Sequence, residues 1–291
     1  MNYIAFLGKI ASIARSIGLG RFLDYCRDRA DHLWMRRGYL PLKVEVEGVI
    51  VGGFLRHRSF LDNLQRTYEP FSRHLFKASL KPGTVVVDGG AHIGLYSLIA
   101  SRTLGDKGRV LAFEPDPYNF HALLLNLWAN GCRNVIAVPK ALSSSAGKAW
   151  FYQSAGTISS SLIRRHEFDT HPVRLIEVET TTLDQEMRDL KAEAILVKLD
   201  LEGAEPLAVD GMAATVKRAS SVTVIVEMNP SALAAAGFTP KALVHKLQRL
   251  ELEVFFIDEG TRSLIPVEDL SEWRKGNLLG RKGRDGRETG F

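Results

Sequence analysis

The chain has 291 residues, 45% of them apolar and 24% charged, and only two cysteines, Cys26 and Cys132. That length fits one large domain with a helical extension or two small domains, while two cysteines so far apart indicate neither a disulfide scaffold nor a zinc site and leave a reducing cytoplasm as the default expectation. The formal net charge of +5 belongs to the ends: residues 1–40 carry seven basic against three acidic side chains, 281–291 four against two, and the remainder 27 against 28. A near-neutral core argues against the organised basic face of a nucleic-acid binder.

In chain order, Tyr3, Phe6, Leu7, Ile10, Ile13, Ala14 and Ile17 recur at helical spacing, and a second stripe runs through Phe22, Leu23, Cys26, Ala30, Leu33 and Trp34. Neither has the roughly eighteen consecutive apolar residues of a membrane span. Lys9 and Arg15 also interrupt the apolar run that a secretory signal needs. Residues 1–40 therefore read as a helical extension. It either packs on the catalytic domain or on a second subunit, or lays residues 3–17 on the inner membrane surface as a peripheral contact.

Lys43 to Phe54 reads as one or two short strands with a turn at Gly52-Gly53, followed by a helix over Glu69 to Ala78. Val85, Val86 and Val87 form a β-branched run suited to a parallel strand covered on both faces. The chain continues Asp-Gly-Gly-Ala-His-Ile-Gly at 88–94, a glycine turn into a helix, and a second strand, Arg109 to Phe113, ends at Glu114. Strand, glycine turn, helix and a further strand with a terminal acid describe a nucleoside-cofactor crevice. A helix over Pro117 to Ala129, closed by Asn130-Gly131, and a strand at 135–138 follow. Lys148 to Tyr152 and Arg174 to Thr180 alternate as a hairpin-like pair around the polar span 153–172. Ala194 to Leu199 is an apolar strand running into Asp-Leu-Glu-Gly-Ala-Glu at 200–205, and a helix covers Glu205 to Val216. Val222 to Val226 is a strand ending at Glu227, Pro240 to Leu250 a helix, and Leu252 to Ile257 a strand able to pair with Asn277 to Leu279.

Four strands thus end in acids: Asp88, Glu114, Asp200 and Glu227. The turn at 88–94 lacks the Gly-x-Gly-x-x-Gly spacing that seats a pyrophosphate on a helix amino terminus, with His92 where a middle glycine might stand. An acid before the turn suits the cationic amino group of an amino acid. That favours S-adenosylmethionine over NAD, whose dinucleotide oxidoreductases are the alternative enzyme reading. A non-catalytic cofactor-binding or membrane-adaptor module is a third.

Taken in order, Asp-Gly-Gly-Ala-His-Ile-Gly, Phe-Glu-Pro-Asp at 113–116, Ala-Leu-Ser at 141–143, Thr-Thr-Thr-Leu-Asp at 180–184, Lys-Leu-Asp-Leu-Glu-Gly-Ala-Glu at 198–205 and Val-Glu-Met-Asn-Pro at 226–230 resemble the FkbM family of S-adenosylmethionine-dependent methyltransferases. Tyr68-Glu69-Pro70 and Asn277-Leu278-Leu279 add to the resemblance, which covers roughly residues 43 to 282. It implies a class I methyltransferase fold, a Rossmann-like doubly wound, mostly parallel sheet over residues 41–280. Residues 1–40 would be the helical extension and 281–291 a solvated basic tail. The implied reaction is O-methylation of a sugar, glycolipid or other small-molecule hydroxyl.

On this reading Asp88 serves the methionine amino group, Gly90 and Gly94 let backbone approach the cofactor, and Glu114 accepts the ribose hydroxyls. Ala91, His92 and Pro115 lie beside them, and the resemblance implies that Ala141 and Leu142 flank adenine and that Tyr68 and Glu69 approach cofactor or acceptor. Asp200, Glu202 and Glu227 are the catalytic candidates at the acceptor end, with Asp200 also near the cofactor. Glu205 reads as a first-turn helix acid. His166, His171 and the serines at 159–161 fall in the polar insertion. No metal ligand set is indicated, although Asp200 and Glu202 have the chemistry to contribute to one.

Overall fold

The computed structural model describes residues 30–283 except 32, 65–67, 155–159, 167–172 and 191. The stripe at 3–17, Cys26, Ser159, His171 and the last eight residues lie outside the described residues.

Chain patterning accounts for the architecture. The strands β1 (Leu42–Val46) and β2 (Val49–Gly53) form an antiparallel hairpin. The strands β3 (Val85–Gly89), β4 (Arg109–Phe113), β5 (Val135–Val138), β9 (Ala194–Leu199), β10 (Ser221–Met228), β11 (Glu253–Asp258), β12 (Ser263–Pro266) and β13 (Gly276–Lys282) build one sheet in the order β12-β11-β13-β10-β9-β3-β4-β5. From β5 to β10 every pairing is parallel, while β13 pairs antiparallel with both β10 and β11. A third sheet joins β6 (Ala141–Leu142), β7 (Gly147–Ser154) and β8 (Val173–Thr181), with β7 and β8 paired antiparallel as the alternation predicts.

Alternation sorts the central strands onto two cores. Val86, Val110, Ala112, Leu196, Ile225 and Leu279 face the helix Leu95–Leu104 and the β1–β2 hairpin. Val85, Val87, Leu111, Phe113, Val197, Val224, Val226 and Leu278 face the opposite core with Leu233 and Leu243. Burying each such side chain contributes about 1.5–3 kcal/mol, so a strand apolar at every position is held only where both faces are covered.

Local differences from the sequence reading have steric causes. Gly52 and Gly53 sit inside β2, and the hairpin turns instead at Glu47-Gly48. A Cβ on Gly52 would come 2.8 Å from Leu40, and one on Gly53 2.7 Å from His57. The helix expected over 205–216 is two, Glu205–Asp210 and Ala213–Arg218, because Gly211 packs against the Ser143 carbonyl. The strand β13 continues to Lys282, pairing Arg281 with Thr223 and taking the first residues of the expected tail into the sheet. The described end of the amino-terminal extension is docked: the Asp31 carboxylate is buried and accepts from the backbone N–H of Leu55 at 2.8 Å and from Arg56. Among the described residues no helix is long and apolar enough to cross a membrane.

Asn126, on the helix Pro117–Ala129, ties three parts of the fold together. Its amide donates to the carbonyls of Gly52 and Ile93 at 2.8 and 2.7 Å, and its oxygen accepts from the Gly52 N–H at 2.7 Å. Asn126 is 1% exposed, so truncation strands these groups away from water. Asn126→Ala is expected to destabilise the fold by about 2–4 kcal/mol. The half-buried Asn130→Ala, which loses solvent-exposed bonds to Ile50 and one to the Asn126 carbonyl, should cost about 1 kcal/mol. Urea unfolding of the two variants measures the contrast.

Candidate active site

The strand order reverses between β3 and β9: the chain runs outward through β4 and β5, then returns to place β9 on the other side of β3. Such a switch leaves a crevice at the carboxyl ends of the strands. A cleft of about 920 Å³, including the space at its mouth, opens there. Asp88, Gly90, Ala91, His92, Glu114, Pro115, Ala141, Leu142, Asp200 and Glu202 all line it. Gly94, Glu69 and Glu227 do not.

The glycine turn is held from below. Gly90 and Ala91 donate to the Phe113 carbonyl, and Asp200 donates its N–H to the Gly89 carbonyl at 3.0 Å. Gly90 has φ +76°, and a Cβ there would collide with the Asp200 carbonyl, so both the conformation and the approach of the two loops require glycine. Gly94, at φ +98°, stands at the N-cap of the helix Leu95–Leu104, where a Cβ would meet Leu123.

Glu114 is buried and braces this turn: Oε2 accepts the His92 N–H at 2.7 Å and Oε1 the Asp116 N–H at 2.8 Å. Burial, reinforced by Asp116, pushes its carboxyl up to about 8. The Asn119 side chain also bonds this carboxyl, and the proton that the carboxyl carries gives it a donor for a ligand hydroxyl. Asp88 is 2% exposed and accepts from the Ser97 hydroxyl at 2.6 Å; burial raises it to about 6 against the opposing pull of Ser97 and Lys198. His92, at φ +52°, packs edge-on against His57 and Phe60, and burial lowers it to about 4. A neutral, weakly basic imidazole of this kind is suited to packing and poorly suited to general-base work.

Lys198, Tyr68 and Tyr96 also line the cleft, and of the network they form with Glu69, Asp200 and Asn277 sequence reasoning missed the parts of Lys198 and Tyr96. Lys198, in the middle of the apolar strand β9, is 1% exposed, with Nζ 3.3 Å from Asn277 Oδ1 and 3.7 Å from Asp200 Oδ2. Burial alone would pull the ammonium down, but Glu69, Asp200, Glu227 and Asp88 outweigh it and hold it above the ordinary lysine range. Glu69, in a left-handed conformation just before the helix Pro70–Ala78, accepts from Tyr96 Oη at 2.7 Å and from Asn277 Nδ2 at 2.8 Å. Tyr68 Oη reaches Asp200 Oδ2 at 3.5 Å. The available signal was a lysine inside Ala-Ile-Leu-Val-Lys-Leu, since a charge in a doubly covered strand needs counter-charges.

The acidic turn divides its labour. Glu205 Oε1 accepts the N–H of Leu201 at 2.8 Å and of Gly203 at 3.2 Å, so it shapes the turn as well as starting a helix. Burial raises its carboxyl to about 7. Glu202, at φ +54°, receives Arg165 Nη1 at 2.6 Å, and Ser161 donates to the Glu202 carbonyl at 2.9 Å, anchoring the insertion on the turn. Ser160 lines the cleft, whereas His166 is exposed. Glu227 lies beside Asp200 and Glu202, pairs through Oε1 with Lys275 at 3.0 Å, and is pushed well up by burial and by those neighbouring carboxylates.

The family model for the methyltransferase FkbM domain matches residues 88–253, more than half of the chain. The chain belongs to the FkbM methyltransferase family. A curated relative, the methyltransferase sdnD of Sordaria araneosa, is 31% identical over 166 residues, which span 47% of this chain and 64% of that protein's length. Similar solved structures include an S-adenosylmethionine-dependent O-methyltransferase of Thermotoga maritima, 14% identical with a TM-score of 0.41, covering 86% of this chain and 80% of that one. A precorrin-6y C5,15-methyltransferase of Geobacter metallireducens is 13% identical with a TM-score of 0.41, covering 75% and 94%.

The FkbM cleft holds protons that an unfolded chain would release. Between the ordinary carboxyl value of 4.5 and about 8, folded Glu114 stays protonated while unfolded Glu114 is ionised, so stability falls as pH rises through that window. Glu205 and Asp88 act in the same direction up to about 7 and 6. The urea midpoint is expected to drop between pH 5.5 and pH 8. Glu114→Gln should flatten that drop, whatever its effect on absolute stability.

Proposed function

We propose that this chain is an S-adenosylmethionine-dependent O-methyltransferase acting on a hydroxyl of a small-molecule, glycan or glycolipid acceptor. The observation that carries the reading is the set of acids on adjacent strand ends around the β3–β9 switch, with Asp88, Glu114 and Asp200 facing one cleft.

The residues present fit the cofactor. Glu114 presents its carboxyl to the cleft for a ribose diol, Ala141, Leu142 and Phe113 offer an apolar slot for adenine, and Gly90 leaves backbone exposed where a side chain would stand. Asp88 and Asp200 supply negative charge for a methionine amino group and a sulfonium. When bound, the cofactor supplies an electrophilic methyl group on positively charged sulfur.

The protein's task is then mainly alignment. Methyl transfer is an in-line displacement: the bond from carbon to the acceptor oxygen forms, the sulfur–carbon bond breaks with its electrons going to sulfur, and the hydroxyl proton must leave. Asp200, at the cleft side of the acidic turn, is placed to accept that proton, and Glu202 and Glu227 set the charge around it. Leu162, Phe151 and Ser160 line the same cleft and form the acceptor wall. A balance of 27 basic against 28 acidic side chains over residues 41–280 supports a small acceptor over a nucleic acid. A cytoplasmic enzyme with residues 3–17 touching the membrane would suit a lipid-linked acceptor.

Calorimetry with S-adenosylhomocysteine tests the cofactor directly, and NAD binding without it would overturn the reading. Glu114→Ala should weaken S-adenosylhomocysteine binding by roughly five- to a hundredfold, the loss of two hydrogen bonds of about 0.5–1.5 kcal/mol each. With labelled cofactor and a native small-molecule and lipid extract, Asp200→Asn should lower the rate of methyl transfer to oxygen by roughly 10²–10⁴. Mass analysis that finds the label on nitrogen or carbon would refute O-methylation.

A further inference from the structure

Asp200, Glu202 and Glu227 each bring a carboxylate oxygen to within 4.8 Å of the others. Their partners answer this charge only in part. Arg165 takes one oxygen of Glu202, Lys275 takes Oε1 of Glu227, and Lys198 stands behind Asp200. Oε2 of Glu227, on a side chain only 7% exposed, is buried with no hydrogen-bond partner. A bare carboxylate oxygen beside two more carboxylates is costly, and the cost falls when a cation meets it. The resident cation is a loose one: the Lys275 side chain is 62% exposed and enters from the surface. Three hard oxygen donors, two of them lining the cleft, match a small divalent ion that keeps several waters.

We propose that Asp200, Glu202 and Glu227 form a binding site for a divalent cation of the magnesium type, and that Lys275 neutralises the site when the ion is absent. Metal binding follows from this cluster alone, and only its catalytic consequence rests on the methyl-transfer reading. An ion here sits at the acceptor side of the cleft, binds the acceptor oxygen and lowers the pKa of its hydroxyl. The hydroxyl proton then passes to the second oxygen of Asp200 as the methyl group moves to oxygen.

Manganese serves as the probe, because its free aqueous paramagnetic signal is lost on binding. Titration of the full chain should show one bound ion, displaced by excess magnesium. Glu227→Gln and, separately, Asp200→Asn should each weaken binding by about tenfold or more. Lys275→Ala should tighten it, since a competing ammonium is removed. Circular dichroism checks that each variant is folded, and two carboxylate variants guard against failure of one. Absence of binding, unchanged binding in both carboxylate variants, or weaker binding in Lys275→Ala would overturn the proposal. S-adenosylhomocysteine calorimetry in a chelator separates the two readings: cofactor binding without manganese binding leaves the methyltransferase and removes the ion. Manganese binding without cofactor binding does the reverse.

Discussion

The ammonium of Lys198 lies where β3, β9 and β10 meet, level with Asp88 on one neighbouring strand and Ile225 on the other. A lysine in the middle of a sheet covered on both faces is tolerated only with counter-charges around it, and Glu69, Asp88, Asp200 and Glu227 provide them. The converse holds as well. Acids crowded at the carboxyl ends of adjacent strands repel one another, and a buried cation behind them lowers the cost of keeping them together. Stability of the sheet centre and electronegativity of the cleft therefore depend on one group. Asn277, reaching Lys198, Glu69 and Ser72, extends that dependence to the last strand and to the helix over the floor.

A second constraint fixes where the cleft wall stands. The turn after β3 has glycine where the Asp200 carbonyl approaches, Glu114 clamps its N–H groups from the next strand, and Asn126 holds the Ile93 carbonyl from the following helix. Glu114 is both a brace of the turn and a carboxyl that lines the cleft, so a ligand that engages it meets a structure that is already formed. Preorganisation of this kind reduces the ordering cost of binding.

Much of this was legible in the sequence because the decisive signals are local. Pro117 at the start and Asn130-Gly131 at the end bound their helix correctly, and short apolar runs located β3, β4 and β5. Three of the four acids that line the cleft, Asp88, Glu114 and Asp200, were legible for the same reason: each follows an apolar run at the end of a strand. What was not legible depended on distant packing. Gly52 and Gly53 carry the composition of a turn, yet their small size serves close approach by Leu40 and His57 inside a strand. The break at Gly211 answers Ser143, 68 positions earlier in the chain. The roles of Tyr96, Asn119 and Asn277 come from tertiary contacts, and no periodicity marks them.

The acidic turn shows how a fold can hold charges that do not stabilise it. Glu205 is spent on backbone N–H groups and makes the turn possible, so its carboxylate is structural. Glu202 and Glu227 are different: each has a basic partner drawn from a separate part of the chain, Arg165 in the insertion and Lys275 before β13. A purely structural cluster would more simply be replaced by apolar side chains of similar volume, which often match or exceed a buried ion pair in stability. Here the partners come from separate segments, and one buried carboxylate oxygen, Oε2 of Glu227, is left without a donor beside Asp200 and Glu202. Charge kept at that cost is what the proposed cation would offset.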